Sequence, residues 1–350
     1  MEQMTSRERV MASILHQPVD RLAMDFWGVS EITERLMKHF HAYSWPELSR
    51  AMNIDKIIQV GPRLKEGRPN MLGIPMKQIP IPNGQGYYEE PVCFPLGNCE
   101  SIDDILDSGY EFPSVEMYDY SVIKKQCDEA EGFAIEGGYI SLTYFYEMLR
   151  GTENMLLDMA LNPELAEYIL FRLEEFSYEH TRRILEAADG RIDLSQVTDD
   201  LGTQNSLLMS MDMVRHFLES SYQKNIAMIK EYGSHIFHHD DGAMTAALPW
   251  LTELGIEVLN PLQWHLPNWD LYELKKEYGN RLCFHGGIDN QYILPFGTRE
   301  EIREEVRVCV EALFSDKTGY ILAPCHNIQA NTPIENVLEM YQAARECVVY

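Results

Sequence analysis

The chain is poor in positive charge. Against 55 Asp and Glu it carries 29 Lys and Arg, a formal net charge of −26 that is spread along the sequence rather than gathered in a tail. Such a surface repels phosphate backbones, so nucleic acid is not an expected partner. Cysteine is scarce in any useful pattern. The seven residues (Cys93, Cys99, Cys127, Cys283, Cys309, Cys325, Cys347) are an odd number without a Cys-x-x-Cys pair. That argues against a disulfide framework or a zinc ribbon and points to reduced core thiols. No apolar run approaches the roughly 20 residues of a membrane span, and the start, MEQMTSRERVMASILHQPVDR, is too polar for a signal peptide. The expectation is a soluble, cytoplasmic chain without a membrane partner. Low-complexity linkers are missing too, as are a GxSxG elbow, a P-loop and a GxGxxG after the first strand. Acyl-hydrolase, nucleotide-phosphate and Rossmann readings therefore lack their parts.

What the sequence does have is a repeated alternation. Short apolar runs at LAMDFWG (22–28), KIIQVG (56–61), GFAIEGG (132–138), LSQVTDD (194–200), HIFHHDD (235–241), EVLNPLQ (257–263), LCFHGG (282–287) and YILAPCH (320–326) alternate with amphipathic stretches. With 350 residues, 45% of them hydrophobic, this predicts a (β/α)8 barrel as one domain over 1–350. Helix starts are legible at Asn162-Pro163, at Thr298 with Glu301 as a capping box, and at Thr332-Pro333-Ile334-Glu335. Residues 62–131, rich in Pro and Gly with a hairpin-like IPMKQIPIPNGQGYYEEPVCF, read as an insertion or cap over one barrel end.

Barrel enzymes carry their chemistry at the C-terminal ends of the strands. Here those ends bear Asp25, Glu136, Asp199 and Asp200, His238 to Asp241, Asn260 and Gln263, His285 and Asp289, then Cys325, His326 and Gln329. A polar cap on one such loop is ordinary, whereas convergence of seven marks a candidate site. In FHHDDGAM (237–244), His239 and Asp241 stand at i and i+2, which on an extended segment puts both side chains on one side. Cys325 from a later strand would close a zinc site with them, leaving a fourth position for substrate. On the competing reading Asp240 or Asp241 caps the helix beginning near Met244, and His238 is a wall residue. Gly-Gly at 137–138 and 286–287 would admit close approach of a ligand, and Tyr87, Tyr88, Phe94, Tyr139, Phe145, Trp264 and Trp269 hint at a flat or aromatic one.

TSRERVMASILHQPVDR, DDLGTQNSLLMS (199–210), FHHDDGAM, GIEVLNPLQ, RLCFHGGIDNQYILPFGTREEIREEV (281–306) and ILAPCHNIQANTPIENV together resemble the uroporphyrinogen decarboxylase superfamily, nearly end to end. That superfamily includes zinc-dependent methylcobamide methyltransferases, and its fold is a (β/α)8 barrel. True decarboxylases carry an RxxxRQAGRY-type motif near the first strand; the matching RLAMDFWGVSEITERLM (21–37) has no Arg between Leu22 and Glu34, so bidentate donors for a polycarboxylate are missing. His326 sits where the decarboxylases have a His. The methyltransferase branch has an HxCG zinc motif and a second Cys; His239-His-Asp241-Gly242 is similar with Asp for Cys, and Cys325 lies beside the second position.

The resemblance therefore implies a methyltransferase whose zinc, held by His239, Cys325 and Asp241, polarises a methoxy or similar donor. The methyl would pass to cobalamin carried by a partner corrinoid protein, because no DxHxxG corrinoid module is present. Asp200 would act at the reacting centre, with His326 as a fourth ligand or proton donor to the leaving oxygen. Asp25, Gln204, Asn260, Gln263 and Asp289 would orient the substrate. Two alternatives stand beside it: a cofactor-free decarboxylase using Asp200 and His326, and a non-catalytic small-molecule-binding barrel. A homodimer is compatible with either.

Overall fold

The eight apolar runs become strands of one parallel sheet in the computed structural model, which describes residues 3–80 and 87–347. They are β1 (Ala23–Met24), β2 (Ile58–Gln59), β3 (Ile135–Ile140), β4 (Leu194–Val197), β5 (His235–His239), β6 (Val258–Asn260), β7 (Cys283–Ile288) and β8 (Tyr320–Pro324). Their order, β1-β8-β7-β6-β5-β4-β3-β2, is that of a (β/α)8 barrel with helices in the connections. Between β1 and β2 there is no ladder. There the Asp55 N–H donates to Met24 O at 2.6 Å, and the Ile57 N–H donates to the Asp25 carboxylate at 2.9 Å. A side chain thus replaces a strand carbonyl where the ring closes.

Strand alternation sends one set of side chains to the barrel axis. Ala23, Leu194, Phe237, Val258, Cys283 and Ile321 meet there, and Val10 and Ile14 of the helix Ser6–Ile14 join the same cluster. Cys99, Cys127, Cys283, Cys309 and Cys325 are buried free thiols, while Cys93 and Cys347 are exposed.

Helix starts follow the sequence unevenly. Thr298 and Glu301 form the expected capping box of the helix Arg299–Leu313, and Thr5 with Glu8 forms another. Asn162 occupies the cap position before Pro163, but its side chain donates to Glu100 O instead of capping. Thr332 does not cap: its helix begins two residues later, at Ile334, and its hydroxyl is buried without a partner.

The residues between β2 and β3 hold two antiparallel pairs, Arg63–Leu64 with Tyr118–Asp119 and Met76–Pro80 with Tyr87–Pro91. The second pair is the expected hairpin; its connecting residues 81–86 lie outside those described. Arg150 fastens this segment to the helices after β3. Its guanidinium donates to Leu96 O and Cys99 O, both at 2.5 Å, and is ion-paired with Asp158 at 2.7 Å. Among the described residues no helix is long and apolar enough to cross a membrane.

Candidate metal centre and cavity

The loops after β4 and β5 cross backbone to backbone at two glycines. Gly242 has φ +98°, and a Cβ there would lie 2.7 Å from both Gly202 C and Thr203 O, so only glycine allows the approach. Asp240, buried, accepts from the Leu201 and Gly202 N–H groups at 2.9 and 3.1 Å. It therefore ties the two loops together rather than capping the next helical turn, Thr245–Ala247, which has no side-chain cap. Gln263 accepts from the Gly242 N–H at 2.5 Å, and Trp269 donates to Gly242 O at 3.1 Å. Asp241 is held at this crossing. Its neighbour His238 is a buried wall residue whose Nδ1 lies 2.8 Å from Val197 O.

His239, Asp241 and His326 converge, each offering one ligand atom within 4.8 Å of the others. Asp241 Oδ2 lies 3.9 Å from the Nε2 of both imidazoles, and Asp241 Oδ1 is buried without a hydrogen-bond partner. Burial raises the Asp241 carboxyl against the opposing pull of His239 and His326; burial also lowers His326, against the pull of Asp241.

The two rings are prepared differently. Asn260 Nδ2 faces the His285 carbonyl at 3.3 Å, which can only accept, so Asn260 Oδ1 must face His239 Nδ1, at 2.5 Å. The His239 proton is then on Nδ1 and its Nε2 lone pair is free. His326 Nδ1 instead accepts from the Asn327 N–H at 2.8 Å, leaving its own proton on Nε2. The three residues fit a metal ion unequally: His239 and Asp241 present lone pairs as they stand, while His326 ligates only by moving its proton to Nδ1 and giving up Asn327.

Cys325, expected as the third ligand, is not brought to this group. Side chains alternate past the end of β8, so as His326 turns toward Asp241, Cys325 turns back and its Sγ contacts Leu262 O at 3.3 Å. Burial pushes its thiol well up, which keeps it protonated.

Asn260 and Asp25 also differ from the roles expected of them. Asn260 Nδ2 donates to His285 Nδ1 at 2.8 Å, and His285 Nε2 lies 3.0 Å from Asp25 Oδ2, with all three buried. Burial alone would raise Asp25, but Lys56 and His285 hold it down to about 2. Asp25 also accepts from Phe26 N, Ile57 N and Trp27 Nε1. Asp200 is exposed and accepts from Asp241 N at 3.3 Å, while Gln204 is exposed on the loop after β4. Asp289 caps its own turn, accepting from Gln291, Tyr292 and Ile293 N–H groups. None of the residues expected to orient substrate, Asp25, Gln204, Asn260, Gln263 and Asp289, lines the cavity beside the cluster.

That cavity, about 700 Å³, has His239 and His326 in its wall together with Trp27, Trp45, Tyr139, Phe145 and Phe176. Trp27 stacks on His239, ring centres 5.6 Å apart at 27°. Of the aromatics singled out in the sequence, Tyr139 and Phe145 line it; Trp264 and Trp269 donate instead to Gly287 O and Gly242 O. Of the Gly-Gly pairs, Gly137 and Gly138 line the cavity, but their missing Cβ atoms make room for Ile192 and Thr181. Sequence reasoning singled out Glu136 as a strand-end group but missed its polar companions in the wall, Gln59, Gln196 and Lys56. Gln59, Glu136 and Gln196 come from three adjacent strands, and Lys56 lies beside them. Their signal was one Gln or Glu inside each apolar run. Burial lifts the Glu136 carboxyl to about 7, against Gln196, Lys56 and Gln59.

Comparison with known proteins bears on this site through the fold. The family described as uroporphyrinogen decarboxylase (URO-D) matches residues 133–347. A methyltransferase from Methanosarcina mazei superposes with a TM-score of 0.68 at 19% identity, covering 98% of this chain and 99% of its own. A B12-independent methionine synthase from Shewanella sp. W3-18-1, in complex with selenomethionine, gives 0.46 at 13% identity over 85% and 83%. No curated protein sequence matches. Because the family match spans more than half its length and takes in both His239 and His326, the chain belongs to the uroporphyrinogen decarboxylase family.

Proposed function

We propose that this barrel is a methyltransferase that takes a methyl group from a small methylated, oxygen-bound donor and delivers it to the cobalamin of a partner corrinoid protein. The observation that carries the reading is the convergence of His239, Asp241 and His326 beside an aromatic cavity whose wall includes both histidines. Zinc held by His239 and Asp241 would supply Lewis-acid polarisation of the donor oxygen, which a carboxylate and imidazole set suits better than a thiolate-rich one.

The chain's own groups do the rest. Asn260 holds the His239 lone pair in place, and Trp27 covers the ring, excluding water from one face. His326 presents an N–H at Nε2, placed to hydrogen-bond the oxygen from which the methyl departs. Decarboxylation of a polycarboxylate is disfavoured because no arginine lines the cavity among the described residues. The test is methyl transfer to added corrinoid protein by wild type and His239→Ala. Unchanged transfer by the variant would refute the role given to the cluster, and CO₂ release from uroporphyrinogen by metal-free protein would select the decarboxylase.

A further inference from the structure

Glu136 is a buried carboxylate with one oxygen satisfied and one left over. Gln59 Nε2 and Gln196 Nε2 both donate to its Oε1, at 3.1 and 2.7 Å, and no described residue donates to Oε2. The side chain is 6% exposed and lies in the wall of the cavity that holds His239 and His326. Glu136 lines the cavity, so a donor group on a ligand there can reach the oxygen that the two glutamines leave open. The rest of the wall narrows the class of that ligand. Trp27, Trp45, Tyr139, Phe145 and Phe176 favour a flat ring. Lys56, 3.6 Å from Asp25 and 5.4 Å from the Trp45 ring centre, opposes a cation in the same space. Two amide donors on Oε1 stabilise the carboxylate as an acceptor, so an anionic ligand would meet like charge.

We propose that Glu136 Oε2 is the recognition point of this cavity, accepting a hydrogen bond from a hydroxyl or ring N–H on a neutral, planar, aromatic substrate. The inference rests on the methyl-transfer reading for taking this cavity as the substrate site, and it adds that the donor carries a second, hydrogen-bonding group besides its methyl ether. Gln59 and Gln196 act as positioning residues by fixing which carboxylate oxygen is free.

Quenching of tryptophan fluorescence reports binding, since Trp27 and Trp45 line the cavity. The probes are 4-methoxyphenol, anisole and 4-methoxybenzoate, added to the full chain at a mildly alkaline pH. A hydrogen bond to a charged acceptor predicts that 4-methoxyphenol binds about tenfold or more tightly than anisole, with the benzoate weakest. Glu136→Leu removes the preference for the phenol, and the near-isosteric Glu136→Gln reduces it. The comparison of probes on wild type needs no variant, so misfolding of Glu136→Leu does not rescue the idea. Equal binding of phenol and anisole, tightest binding of the benzoate, a preference that survives in folded Glu136→Leu, or no binding of any probe each overturns the proposal. Selective binding without methyl transfer would instead overturn the functional reading and leave the recognition point standing.

Discussion

His239 Nδ1 and Asn260 Oδ1 stand 2.5 Å apart, and this contact decides the chemistry of the candidate metal centre. Because Asn260 also donates to His285, and His285 in turn faces the ionised Asp25 at 3.0 Å, each proton in the series has one consistent position. The series ends at a free lone pair on His239 Nε2. Outer partners of this kind fix ring orientation and raise the basicity of a ligand.

Metal content should therefore follow the geometry. Elemental analysis of purified protein is expected to find zinc, to lose it in His239→Ala and Asp241→Ala, and to retain it in Cys325→Ala, whose thiol contacts Leu262 instead. His326→Ala is expected to retain more metal than His239→Ala, because His326 must surrender its Asn327 contact to ligate.

Asn260→Ala breaks the series without removing a residue of the cluster. Its zinc affinity, measured by competition with a chromogenic chelator, should fall about 10- to 100-fold. An unchanged affinity would show that the His239 tautomer does not depend on Asn260.

Stability should depend on pH through Glu136, whose carboxyl rises from 4.5 to about 7 on burial. A raised carboxyl binds its proton more tightly when folded, so the cost of ionising it is absent below the unfolded value, grows between the two, and is complete above the folded one. Glu136→Gln should match wild type below about pH 4 and exceed it by about 3 kcal/mol near about pH 8 in urea unfolding. An equal difference at both pH values would show that Glu136 is not buried as described.

Gly242→Ala places a Cβ against Gly202 and Thr203 at positive φ. The strain should cost on the order of 1–3 kcal/mol, and displacement of Asp241 should weaken zinc binding in the same variant. Wild-type Tm and metal affinity together would mean the loop crossing is not needed.

The strands were legible because apolar runs of β-branched and aromatic residues between polar helix caps leave little choice of local structure; all eight runs are in the sheet. FHHDDGAM stood out for a similar reason, since ionisable residues at the end of an apolar run are locally anomalous. The grouping of polar residues in the cavity wall was not legible, although Glu136 itself stood out at a strand end. Gln59, Glu136 and Gln196 each look like a single polar residue in a strand, and only their pairing across adjacent strands makes them one group.

The sequence by itself determined the barrel and the segment in which ionisable groups gather, because periodicity and composition are local properties. The tertiary structure decided that His326 rather than Cys325 meets His239 and Asp241, since alternation past the end of β8 turns the two adjacent side chains opposite ways and only the fold sets which way each faces. It also decided that Asp25 and Asn260 act from behind the site, because hydrogen-bond direction depends on which groups lie within about 3 Å, and residues 25, 260, 285 and 239 are brought that close only when the barrel closes.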